Sequence, residues 1–222
     1  MGQLHLDLPQ RTALDRAAFF VAPCNAVALG MIENWQSWTQ RKLLLNGPEG
    51  AGKTHLAHVW AHMAGARVLN ARDLHQEKVP ALAQTPLAVE DIPQIAGDLE
   101  TEEALFHLHN LMLAEGQSLL LTGTGPVSAW GLSLADLVSR IEGTMNVAVQ
   151  APDDQLLAAL LVKLFADRQM IPKPTLIPYL IKRMDRSFAA AINTVERLDA
   201  GSLAQKRPIT RALAAEILGY VQ

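Results

Sequence analysis

Residues Gly47-Pro48-Glu49-Gly50-Ala51-Gly52-Lys53-Thr54 follow the pattern G-x-x-x-x-G-K-[ST]. A loop whose backbone N–H groups converge on a phosphate must bend tightly, and glycine permits the angles required. In that pattern Lys53 is placed to reach the β/γ oxygens, and the Thr54 hydroxyl to ligate Mg²⁺. The flanks agree with it. Residues 41–46, Arg-Lys-Leu-Leu-Leu-Asn, read as a short buried strand, and His55 to Ala64 reads as a helix. Strand, loop and helix in that order predict a site for a nucleoside phosphate.

The rest of the chain bounds what such a site can serve. Its 222 residues, half of them hydrophobic, suit one medium domain with a small appendage. No apolar run is long enough to span a membrane, and the N-terminus lacks the pattern of a signal peptide. The single cysteine, Cys24, fits a reducing compartment, so a cytoplasmic protein is expected. A net charge of −3 argues against gripping DNA by phosphate neutralisation alone. Nucleic acid is therefore expected only indirectly, through a partner.

Apolar runs alternate with helical patterns as far as residue 150. Strands are predicted at 67–70, 86–91, 117–122 and 146–149 besides the one before the loop. Helices are predicted at 25–38, 101–114, where Thr101 is placed to cap, and 134–140. Strands that are apolar throughout indicate a parallel sheet buried on both faces. The texture changes at Pro152, beyond which only helical patterns occur, at 153–169, 174–184, 187–199 and 208–220. The fold class read from this is α/β: a P-loop core with a parallel sheet flanked by helices, then a small all-helical domain. The divisions expected are a tail at 1–16, a nucleotide-binding domain at 17–150 and a helical domain at 151–222.

Hydrolysis needs acids as well as a phosphate cradle. Glu90 and Asp91 end the strand at 86–91, at the sheet edge where the P-loop lies. There the first acid is placed to hold Mg²⁺ and the second to orient water. Thr122 and Thr124, at the end of the next strand, are candidates to place a hydroxyl near the γ-phosphate. His55, His58 and His62 lie on one helix, but no carboxylate or cysteine is placed to complete a metal site. Trp35, Trp38, Trp60 and Trp130 read as core or domain-contact residues.

The run Gly52-Lys53-Thr54-His55-Leu56-Ala57-His58 resembles the G-K-T-H-L-x-H of the bacterial replication initiator DnaA and its shorter AAA+ relatives. Phe20-Val21-Ala22-Pro23-Cys24-Asn25 resembles the initiator segment that borders the adenine pocket, which implies nucleotide contacts for Phe20, Val21 and Asn25. Residues 95–97 with 102–107 and Asn110 resemble the stretch after the family's Walker B strand. Ser139-Arg140 falls where the family carries its arginine finger. The resemblance spans about residues 18–220 and implies an AAA+ core with a helical lid, binding ADP or ATP with Mg²⁺. The initiator's DNA-reading domain has no counterpart before Gln222, which implies the short regulatory branch of the Hda type. Gln3-Leu4-His5-Leu6-Asp7-Leu8 resembles that branch's clamp-binding peptide, implying a sliding-clamp contact through Gln3, Leu4, Leu6 and Leu8.

Three positions depart from the family pattern. Glu90 stands for the usual aspartate, Thr124 for an acidic or amide residue, and Ala189 for the lid's sensor arginine. Arg186 lies one helical turn earlier and is a candidate substitute. These departures weaken self-sufficient ATP turnover and leave Lys53, Thr54 and Arg140 intact. The expected partners are the DnaA initiator and the sliding clamp, with no membrane; a homo-oligomer stays open. The rival readings are an autonomous AAA+ ATPase such as a helicase loader, a P-loop small-molecule kinase, and a nucleotide-stabilised binding module.

Overall fold

The computed structural model describes residues 19–219. The expected tail, with Gln3, Leu4, Leu6 and Leu8, lies outside the described residues.

Five strands build the sheet: β1 (Lys42–Asn46), β2 (Arg67–Asn70), β3 (Leu87–Glu90), β4 (Leu119–Gly123) and β5 (Asn146–Ala148). They run parallel in the order β2-β3-β4-β1-β5. Successive strand residues point to opposite faces. Leu44, Leu87, Val89, Leu119 and Leu121 therefore enter one buried cluster. Leu43, Leu45, Ala88, Leu120 and Val147 enter the other. This is why the strands read as unbroken apolar runs. Helices α1 (Pro23–Glu33) and α2 (Lys53–Ala64) cover the second face. The short α3 (Val79–Leu82), α4 (Leu99–Ala114) and α5 (Ala135–Glu142) cover the first.

After β5 the described chain is helical: α6 (Asp154–Asp167), α7 (Leu176–Ile181), α8 (Phe188–Gln205) and α9 (Arg211–Leu218). Their apolar faces, with Leu157, Leu161, Phe165, Leu180, Val195 and Leu198, bury one another in a core of their own.

Several elements differ from expectation at their ends. The helix expected through Trp38 stops at Glu33, where Asn34 turns both its backbone N–H and its Nδ2 onto the Gly30 carbonyl. A side chain that competes for a helix carbonyl ends the helix there. Trp38 then lies on Trp60, rings stacked 5.2 Å apart, with its indole N–H donating to Met31 O at 2.8 Å. α4 begins before Thr101: Asp98 accepts from Thr101 N and from its hydroxyl, so the capping residue is the aspartate. α8 continues six residues past the expected end at 199.

Candidate nucleotide-binding site

The P-loop, residues 47–54, leaves the carboxyl end of β1 and enters α2. Gly50 and Gly52 have φ of +69° and +99°, angles that L side chains rarely adopt. A Cβ on Gly47 would collide with the Val149 carbonyl, and one on Gly50 with Ser187. The loop is thus wedged between β5's continuation and the helical part. Phe188 N donates to Gly50 O at 3.1 Å, tying the start of α8 to the loop. Pro48, Glu49 and Gly50 face Ala189, Arg186 and Asn193 across a cleft of about 820 Å³. Ala51 packs into the core below.

Lys53 is buried and donates to Gly47 O at 2.8 Å, Pro48 O at 2.9 Å and Thr124 Oγ1 at 3.2 Å. Burial lowers its pKa, while the charges of Asp91, Glu49 and Glu90 act in the opposite direction. Thr124 thus reaches the loop through its lysine. Thr122 serves differently: its hydroxyl accepts the Asp91 N–H at 3.0 Å and fixes the bend after β3. Asp91 takes a left-handed conformation, φ +59°, and accepts from Asn70 Nδ2 at 3.4 Å.

Glu90 is 8% exposed, and the Thr54 hydroxyl hydrogen-bonds it. Burial raises its carboxyl pKa, opposed by Thr54 and His58 and reinforced by Asp91. Its Oε1 is buried with no hydrogen-bond partner. An orphaned buried carboxylate oxygen beside a hydroxyl is a donor set suited to a hydrated divalent cation. Glu90 and Thr54 therefore fit Mg²⁺, which when bound would neutralise phosphate charge. The loop's N–H groups and Lys53 fit the phosphates themselves.

The segment expected to border the base is close at hand. Asn25, 1% exposed, accepts from Ala22 N at 2.9 Å and donates to Phe20 O at 2.8 Å, so it shapes the backbone that carries Phe20 and Val21. Phe20 is half-buried and Val21 exposed. Sequence reading passed over Phe19. Its ring meets His55 edge-on at 5.0 Å and, with Phe188, lies against Gly52. Nothing in a lone phenylalanine signals this.

Arg140 lies on the last turn of α5, away from the loop that Lys53 serves, exposed and in none of the ion pairs among the described residues. Arg186 is exposed and pairs with Asp154 at 3.0 Å. The chain thus brings Lys53, Thr54, Glu90, Asp91 and Thr124 into one neighbourhood and leaves Arg140 outside it.

No family model matches the chain. Among solved structures it is similar to domain III of the replication initiation protein DnaA from Thermotoga maritima. That match has a TM-score of 0.80 at 14% identity, over 96% of this chain and 98% of the other. It is similar to AMPPCP-bound DnaA from Aquifex aeolicus, with TM-score 0.71 and 18% identity over 84% of this chain and 65% of that one. It is also similar to a Thermotoga maritima RuvB mutant, with TM-score 0.67 and 18% identity over 90% and 70%. Against the AMPPCP-bound initiator the chain spans about two thirds of the other protein's length. The shared feature is the fold, a parallel five-stranded sheet flanked by helices and followed by a helical part.

Proposed function

We propose that this chain is an Hda-like regulator of replication initiation, which holds a nucleotide at its own P-loop and lends Arg140 to ATP on a partner initiator. The observation that carries this reading is the separation of cations. Lys53 is committed to the chain's own loop, whereas Arg140 is exposed, without an ion pair among the described residues, on a helix whose end is linked through Thr144 and His109 to Lys42 at the other end of β1. A guanidinium set on the charge that develops in phosphoryl transfer speeds hydrolysis by about 10³–10⁵. Ala189 in place of a lid cation suits a subunit that retains its nucleotide better than one that turns it over.

In this reading ADP or ATP with Mg²⁺ engages Gly47 to Thr54, Glu90 and Asp91, with Phe20, Val21 and Asn25 beside the base. Gln3, Leu4, Leu6 and Leu8 dock on the sliding clamp, which brings Arg140 to the initiator. The initiator is the DnaA type, by likeness of fold and of the motifs around the loop. Hydrolysis of initiator-bound ATP, measured with and without this protein and DNA-loaded clamp, tests the proposal. Stimulation that needs all components and is lost in Arg140→Ala supports it; stimulation that survives Arg140→Ala overturns the finger assignment. Orphaned Glu90 beside Thr54 favours one alternative, an autonomous AAA+ ATPase such as a helicase loader. That reading requires substantial hydrolysis by the chain alone.

A further inference from the structure

α5 is held at both ends by one face of α4. Glu102 and His109 lie two helical turns apart on α4, both buried, at 0% and 3% exposure. Two turns return a side chain to nearly the same face. At the start of α5, Glu102 Oε2 accepts the N–H groups of Ser133 at 2.8 Å and Leu134 at 2.7 Å. Its Oε1 accepts Gly97 N at 2.9 Å, so the carboxylate is tied on both sides. A negative group at a helix N-terminus also opposes the positive end of the helix dipole.

At the other end a chain of hydrogen bonds has a fixed direction. Lys42 Nζ lies 3.1 Å from His109 Nδ1, and an ammonium only donates, so Nδ1 is the acceptor. The neutral ring then carries its proton on Nε2, which donates to Thr144 Oγ1 at 3.3 Å. The Thr144 hydroxyl in turn donates to the Arg140 carbonyl at 2.9 Å. Lys42 and Thr144 are buried, at 2% and 8% exposure, so each member depends on the next for a partner.

We propose that Glu102 and the Lys42–His109–Thr144 chain form a clamp that fixes the position of Arg140, making Glu102, His109 and Thr144 positioning residues for the finger. The inference rests on the reading of Arg140 given above. Both ends of an eight-residue helix are bonded to one rigid neighbour, and the last bond closes on the backbone of the arginine itself. Truncating the clamp lets the guanidinium wander, and misplacement of a catalytic group by about 1 Å can cost about 10²-fold in rate.

Two readouts separate the clamp from the finger. Thr144→Val is nearly isosteric and removes the hydroxyl, whereas Thr144→Ser keeps it. Amide hydrogen exchange over residues 135–142 reads the clamp whether or not Arg140 acts on a partner. Loss of a buried hydrogen bond predicts protection about tenfold lower in Thr144→Val, with Thr144→Ser near the parent. In the initiator assay Thr144→Val should lower the maximal stimulated rate about tenfold or more without changing the concentration that half-saturates it. Glu102→Gln, which retains its shape, supplies a second variant at the opposite end should Thr144→Val fold poorly. Unchanged protection with full stimulation in Thr144→Val and Glu102→Gln overturns the clamp. Full stimulation in Arg140→Ala, with protection still lost in Thr144→Val, overturns the finger reading and leaves α5 anchored for another purpose.

Discussion

Two buried lysines frame β1, and their surroundings are opposite. Lys42 opens the strand at the sheet's amino edge, and Lys53 follows it at the carboxyl edge. Around Lys53 stand three acids, Glu49, Glu90 and Asp91, and three oxygen acceptors that can be exchanged for phosphate. Around Lys42 there is a neutral imidazole at 3.1 Å, and burial first, then the charge of Arg140, push its pKa down to about 8. Burial lowers the pKa of both ammoniums, but the three acids oppose that shift at Lys53, whereas Arg140 adds to it at Lys42, whose ammonium is spent on holding a helix. The same residue type, eleven positions apart, thus marks a candidate binding edge and an anchoring edge.

The largest expected effect breaks the first member of the pair. Lys53→Ala removes the ammonium that the proposed function assigns to the phosphates and should weaken ADP binding by about 10³-fold. Titration with a fluorescent ADP analogue reads this directly. Lys42→Met should bind the same analogue like the parent. If it also loses nucleotide, the two edges are not functionally distinct.

The second prediction concerns Lys42 through pH. Its folded pKa of about 8 lies below the ordinary 10.5, so between those values the unfolded chain keeps a proton that the folded chain has released. Stability therefore rises with pH across that window, by roughly 3 kcal/mol when the window is complete. Urea unfolding at pH 8 and pH 10 should show the rise in the parent and lose it in Lys42→Met. An equal rise in both would place the alkaline limb elsewhere.

His109 gives a smaller effect on the acid side. Burial first, then Lys42 and Arg140, push its pKa from 6.5 to about 4. Below pH 6.5 the unfolded chain binds a proton that the folded one refuses, so stability falls as pH drops. Down to pH 5, before most carboxylates titrate, the loss is about 2 kcal/mol. His109→Asn should flatten this limb in thermal melts; a limb unchanged by the substitution would count against the neutral ring in the hydrogen-bond chain.

The contrast between the edges also explains what was legible beforehand. The carboxyl edge is local in sequence. The glycines, Lys53 and Thr54 are contiguous, and Glu90 and Asp91 close an apolar run, so pattern and spacing locate them. The five strands were legible for the same reason, since burial on both faces leaves runs such as Leu43-Leu44-Leu45. The amino edge is assembled across the chain: Lys42 meets His109, and His109 meets Thr144, through the β1–β4–α4 packing rather than through any periodicity. Thr101 was a plausible cap, but the aspartate three residues earlier offers a better acceptor and starts the helix sooner. Arg140 entered through its resemblance alone, because an exposed arginine on a short helix has no signature of its own.

The smallest effect sharpens the loop side. Arg186, the candidate read from the sequence to stand in for a lid cation at Ala189, lines the cleft that faces Pro48 and Gly50, as do Arg183 and Arg197. The Arg186 side chain is 62% exposed, with the guanidinium bonded at 3.0 Å to Asp154, whose side chain is 59% exposed. An ion pair so placed contributes under about 1 kcal/mol, because water screens both partners. Arg186→Ala should therefore shift the melting temperature only slightly and change ADP affinity by less than about threefold, the scale of a screened surface charge. A tenfold loss of affinity in the same titration would mean that Arg186 leaves Asp154 for the phosphates when the helical part closes. The carboxyl edge would then carry a second mobile cation, and the difference between the two ends of β1 would be wider than Lys53 alone makes it.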